Sequence, residues 1–122
     1  MRRILWLLLA GAFFSAAQPE ARAADAAKGK STFATCSACH PSDKTNNTGP
    51  GLGGIVGRKA GSAEGFRYSR AMKKASFVWD EKTLNGYLAN PQAAIPGNVM
   101  PFPGIPDAEQ RADVIAYLKT LK

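Results

Sequence analysis

Residues 41–62 carry Gly49, Gly51, Gly53, Gly54, Gly57 and Gly61 together with Pro50. Glycine loses the most backbone freedom in any regular element and proline removes a hydrogen-bond donor, so such a run forbids a long helix or strand. A stretch of this kind is ordered only if it wraps around something. The whole chain has 122 residues, and a single core of that size is marginal without reinforcement. The fold therefore needs an internal staple.

The flanks of the glycine-rich segment read as helices. Residues 25–35 form a short helix candidate, with Asp25 as N-cap and Gly29 and Phe33 four residues apart on one face. Asp80 precedes Glu81 and can cap a second helix, which Asn90-Pro91 stops; Leu84, Tyr87 and Leu88 form its apolar stripe. A last helix starts at Asp107, with Gln110 placed as in a capping box and Val114, Tyr117, Leu118 and Leu121 recurring at helical spacing. Strand signals are weak throughout. The expected class is all-α, a few short helices joined by long ordered loops.

Met1-Arg2-Arg3, the apolar run at residues 4–14 and the small-x-small exit Ala21-Arg22-Ala23 have the three-part pattern of a secretory leader. The apolar run is well short of the ~20 residues that span a bilayer. Paired arginines also suit a twin-arginine route, but two basic residues are an ordinary leader start. Cleavage after Ala23 leaves residues 24–122 as one domain with 13 basic and 8 acidic side chains, a net +5. In an exported chain that balance points to protein partners rather than nucleic acid.

Cys36-Ser37-Ala38-Cys39-His40 is a C-x-x-C-H sequence, the attachment signature of a c-type haem. Two thiols add to the two vinyl groups of the porphyrin, the two intervening residues set the spacing of those bonds, and the adjacent imidazole reaches the iron from one face. Zinc is a poor alternative, because a structural site needs four ligands and the chain has two Cys and one His. A thioredoxin-type redox pair would need a β-α-β scaffold, and a plain disulfide leaves the adjacent histidine unexplained. The motif alone does not choose among three methionines for a second axial ligand.

From about Gly29 to Leu121 the chain resembles the class I cytochrome c family. The matching residues are Gly49-Pro50-Gly51-Leu52, Gly57-Arg58-Lys59-Ala60-Gly61, Gly65-Phe66-x-Tyr68, Trp79, Tyr87-Leu88-x-Asn90-Pro91, Ile95-Pro96-Gly97-x-x-Met100 and Ile115-Ala116-Tyr117-Leu118. The resemblance implies a monomeric, non-enzymatic carrier of single electrons, with one covalent haem c on Cys36 and Cys39 and iron ligated by His40 and Met100. A thioether opposite histidine raises a haem's reduction potential. It also implies that the Pro50 carbonyl accepts the His40 ring proton, that Arg58, Tyr68 and Trp79 serve the haem propionates, and that the Tyr87 phenol approaches the methionine sulfur. The plainer alternative for Tyr68, Trp79 and Tyr87, less favoured than the haem roles, is that they are core aromatics. Gly29 is expected to admit Tyr117 and Val114 of the last helix.

Two departures from the family stand out. Met72 occupies a position where many relatives have asparagine, which implies a different water network or potential. Residues 31–42 and 83–106, which border the haem crevice in the family fold, contain no Lys, Arg, Asp or Glu. The expected partners are redox proteins, such as membrane respiratory complexes between a quinol:cytochrome c oxidoreductase and a terminal oxidase, met through a largely uncharged surface in the periplasm. Two rival readings remain: a haem enzyme or small-ligand sensor with an open distal side, and a dedicated partner of one dehydrogenase.

Overall fold

The computed structural model describes residues 17–18 and 21–122; the charged start and apolar run of the expected leader lie outside the described residues. Helix α1, Ala26–Phe33, begins where expected: the Asp25 carboxylate accepts from the backbone N–H groups of Ala27 at 2.9 Å and Lys28 at 3.2 Å. Those donors have no partner within the helix, and an aspartate cap supplies one. The helix ends at Phe33, slightly short of expectation, and the chain continues as tight turns through Cys39.

Helix α2, Arg70–Lys74, escapes the sequence reading because five residues are too few to show a period. Ser69 starts it by accepting from Met72 N–H at 3.1 Å. Helix α3, Glu81–Ala89, carries the complete capping box: Asp80 Oδ1 accepts from Thr83 N–H at 2.8 Å, and Thr83 Oγ1 accepts from Asp80 N–H at 2.8 Å. Asn90-Pro91 ends α3 as expected, but the same pair restarts the chain as α4, Pro91–Ala94, with Pro91 in the first turn and Asn90 Oδ1 accepting from Ala93 N–H at 3.1 Å. At α5, Ala108–Leu118, only half of the expected box forms, Asp107 Oδ1 accepting from Gln110 N–H at 2.7 Å.

The class is all-α, as expected. The one pairing of extended backbone among the described residues is an antiparallel bridge between Lys59 and Val78. Ala60 N–H donates to Phe77 O and Trp79 N–H donates to Arg58 O, both at 2.9 Å. These bonds clamp the end of the glycine-rich loop to the segment that leads into α3.

Helices α1 and α5 cross closely, and α5 also packs on α3. Phe33, Trp79, Leu84, Tyr87, Val114, Ile115 and Leu118 are buried at the centre, whereas Leu88, Tyr117 and Leu121 of the expected stripes are only half-buried. Gly29 lets the helices touch: a Cβ there would lie 1.9 Å from the Asp113 carbonyl oxygen and 3.0 Å from Tyr117 Cβ. The neighbour expected beside Tyr117 was Val114; it is the backbone of Asp113, one residue earlier on α5. The Asp113 carboxylate is buried and accepts from Asp25 N–H at 2.7 Å and from Arg22 Nη2 at 2.9 Å, tying the start of α1 to the middle of α5. These donors hold its carboxyl below the usual carboxylate range, the Asp25 N–H most strongly.

Candidate functional site

Past α1 the backbone turns on itself, with Cys36 O accepting from Cys39 N–H at 3.1 Å and from His40 N–H at 2.9 Å. Cys36, Cys39 and His40 are thus carried on one turn, and the two cysteines form no disulfide. Burial pushes the Cys36 thiol up from its ordinary value, the reverse of what a thioredoxin-type redox cysteine requires.

The His40 ring is fixed from two sides. Nδ1 lies 2.8 Å from the Pro50 carbonyl oxygen, and a carbonyl can only accept, so Nδ1 carries a proton, and in the neutral ring it is Nε2 that has the lone pair. A Cβ at Gly49 would stand 2.4 Å from His40 Cε1 and 2.6 Å from Nδ1, so the glycine is where the loop passes flat against the imidazole. The loop has its own braces. Asn46 donates to Glu64 O at 2.8 Å and accepts from Gly51 N–H at 3.1 Å, and Arg58 donates to Gly51 O at 2.9 Å and Gly53 O at 3.3 Å.

Arg58 therefore spends part of its guanidinium on the loop that carries Pro50, and burial lowers its pKa from the ordinary value while Tyr68 acts the other way. The Tyr68 hydroxyl accepts from Ala63 N–H at 3.0 Å, and its ring meets Phe66 edge-on with centroids 4.8 Å apart. Trp79 is buried in an aromatic row, 4.9 Å from Phe77 and 5.0 Å from Tyr87 between centroids.

Met100 is half-buried in the loop between α4 and α5. Its sulfur lies 3.8 Å from the Tyr87 hydroxyl, and its backbone N–H donates to Asn98 Oδ1 at 3.0 Å. Burial pushes the Tyr87 phenol up to about 12. The return of this loop to the helices is held by Ile105 N–H on Leu88 O at 2.7 Å. A cavity of about 200 Å³ has Thr35 and Cys36 on one wall and Phe102, Gly104 and Ile105 on the other, so the turn bearing the cysteines and the loop bearing Met100 face each other.

Asn98 is the residue missed from the sequence, where it stood as an unread position between Gly97 and Met100. It is 6 % exposed, and an asparagine two residues before a candidate ligand in a proline-glycine loop was the one signal available. No buried side-chain nitrogen or oxygen among the described residues lacks a partner.

The donor set fits a haem. No three His, Cys, Asp or Glu side chains among the described residues gather into a site for a bare ion. One imidazole nitrogen and one thioether suit an iron that brings its own equatorial nitrogens, and two thiols on the histidine's turn suit covalent attachment. Leu52, Met72, Phe77, Leu88, Met100 and Phe102 pack on the core yet stay partly exposed, apolar side chains of the kind a hydrophobic ring would cover.

Comparison with known proteins agrees with this chemistry. The family model described as Cytochrome c matches residues 26–122. The chain is 50 % identical over 103 residues to a cytochrome c of Chlamydomonas reinhardtii, covering 82 % of this chain and 92 % of that one. It is 47 % identical over 100 residues to a cytochrome c2 of Rhodomicrobium vannielii, covering 80 % of each. Among solved structures, cytochrome cH from Methylobacterium extorquens superposes with a TM-score of 0.76 at 49 % identity, covering 79 % of this chain and 98 % of that one.

Proposed function

The chain belongs to the cytochrome c family, and on that premise we propose that Cys36 and Cys39 would hold its one haem c through two thioether bonds while His40 Nε2 and Met100 Sδ would be the protein's ligands to the iron. The protein is a single-electron carrier. When bound, the haem supplies an iron that gains or loses one electron between ferric and ferrous states.

The chain's own residues do the rest. Pro50 O holds the Nδ1 proton of His40 and so keeps Nε2 presented as a donor. Tyr87 and Asn98 hold Met100 at both its sulfur and its backbone, and Arg58, Tyr68 and Trp79 form the polar and aromatic surround of the haem. Phe77, Trp79 and Tyr87 stack edge-on in one aromatic row that contributes to the apolar surround. Fixed donors and a low-dielectric sheath keep rearrangement small between charge states.

The observation that carries this reading is the double hold on Met100. A methionine that merely fills space needs neither a phenol 3.8 Å from its sulfur nor a side-chain acceptor 3.0 Å from its N–H. With that sulfur in place the protein is a carrier rather than an enzyme or gas sensor with an open distal side. The ferric protein should show the weak far-red sulfur-to-iron charge-transfer band at neutral pH and lose it in Met100→Ala; a wild-type protein without the band would overturn the reading.

Residues 1–23 are removed on export, leaving residues 24–122 as the carrier domain in the periplasm; Arg22 leaves with them, and Asp25 N–H keeps its bond to the Asp113 carboxylate. No helix among the described residues is long and apolar enough to cross a membrane. The partners are redox proteins, membrane respiratory complexes among them, and docking is through the uncharged segments at 31–42 and 83–106. Val99, beside Met100, is 76 % exposed and supplies apolar contact there. Rates with a quinol:cytochrome c oxidoreductase and a terminal oxidase should vary little with ionic strength, since charge steering is the term that salt screens. A steep fall with added salt would refute the uncharged docking surface.

A further inference from the structure

Asn98 makes more of its side chain than any other residue of the Met100 loop. Its amide nitrogen donates to Pro91 O at 2.8 Å and to Ile95 O at 2.9 Å. Both acceptors are carbonyls at the two ends of α4, so the amide oxygen cannot take the nitrogen's place; reversed, it would face two carbonyl oxygens. The oxygen is therefore committed to the opposite side, where it accepts from Met100 N–H at 3.0 Å, with the Tyr87 hydroxyl at 3.5 Å. The backbone of Asn98 is held as well, its carbonyl accepting from Gln92 Nε2 at 2.9 Å and its N–H donating to Ile95 O at 3.1 Å.

We propose that Asn98 is the positioning residue for Met100: its carboxamide is a bracket with both donors fixed on α4 and its acceptor fixed on the Met100 backbone, and this bracket sets how readily the methionine sulfur can be displaced. The inference rests on Met100 being the sixth ligand. Only a carboxamide meets the demand. Alanine removes all three side-chain bonds, aspartate at neutral pH turns two donors into acceptors facing carbonyls, and threonine keeps one hydroxyl to serve either side. Because the bracket is buried, each lost bond leaves a desolvated partner behind.

The test uses ferric holoprotein at neutral pH, titrated with imidazole while the far-red charge-transfer band is followed. Displacing the sulfur means moving the loop, so weakening the bracket should strengthen apparent imidazole binding by roughly tenfold or more in Asn98→Ala, a factor that about one to two hydrogen bonds supply. Asn98→Thr should fall between wild type and Asn98→Ala, and it serves as the readable variant if the alanine protein does not accumulate. Val56→Ala, an exposed apolar residue of the glycine-rich loop outside the docking segments, should leave imidazole binding unchanged. Val114→Ala, in the buried core, should lower the urea midpoint without moving imidazole affinity, which separates positioning from general stability. Imidazole affinity in Asn98→Ala or Asn98→Thr within about twofold of wild type, less than one net hydrogen bond, would overturn the proposal if Met100→Ala abolishes the band. A wild-type protein with no band would overturn this proposal and the ligand assignment together.

Discussion

Replacing Gly29 by alanine asks how close the α1–α5 crossing is. The added Cβ would lie 1.9 Å from the Asp113 carbonyl oxygen and 2.5 Å from its carbon, against an ordinary carbon–oxygen contact of about 3.3–3.6 Å. The obstacle is helix backbone, not the free end of a side chain, so relief requires the two helices to part. Overpacking costs ~1–3 kcal/mol and sometimes more, and a collision with backbone belongs at the upper end. Alanine's helix propensity returns about 1 kcal/mol over glycine, leaving a net loss of ~2 kcal/mol. Gly86 supplies the control: it is an exposed glycine inside α3 with nothing within 4 Å of its added Cβ, so Gly86→Ala should gain up to about 1 kcal/mol. Urea unfolding of the three holoproteins, followed by far-UV circular dichroism, should put the midpoints in the order Gly86→Ala, wild type, Gly29→Ala. A Gly29→Ala midpoint at or above wild type would refute the close crossing.

Two pH predictions follow from buried groups. Tyr87, pushed up to about 12 by burial, keeps its proton longer folded than unfolded, so its contribution to stability is complete below about pH 10 and is lost as pH rises through its folded value. Tyrosinate absorbance should show a late-titrating phenol that is missing in Tyr87→Phe; all phenols titrating together near their ordinary value would count against its burial. Asp113 has the opposite sign, because its lowered pKa, due first to the Asp25 N–H, makes the folded state release its proton more easily. Its contribution is present at neutral pH and disappears as pH falls through the folded value, so the stability gap between wild type and Asp113→Asn should close on acidification. A gap that stays constant down to low pH would show that the carboxylate's charge plays no part.

The local signals were the ones best read from sequence. Asp25, Asp80 and Asp107 each cap the helix they were expected to cap, because a cap acts on N–H groups two or three residues away. The glycine-rich loop and the stop at Asn90-Pro91 were legible for the same reason. Errors arose where two segments meet. Leu88 and Tyr117 were placed on buried stripes and are half-buried, since a period marks a helix face but not which neighbour covers it. The reciprocal box implied by Gln110 forms instead at Thr83, whose short hydroxyl reaches the Asp80 N–H. Helices α2 and α4, of five and four residues, are too short for periodicity to register.

Cys36-x-x-Cys39-His40 by itself pointed to a covalently attached haem, because thiol spacing and an adjacent imidazole are properties of five consecutive residues, and left the second iron ligand open. The glycines at 49–61 likewise determined that the chain must wrap rather than run straight. Tertiary structure alone decided how the donors are held. Pro50 reaches His40, Tyr87 and Asn98 reach Met100, and the buried Asp113 joins the start of α1 to α5. A hydrogen bond needs its donor and acceptor brought within about 3 Å and aligned, and for pairs as far apart in sequence as Asp25 and Asp113 or Tyr87 and Met100 only the packed chain brings them there.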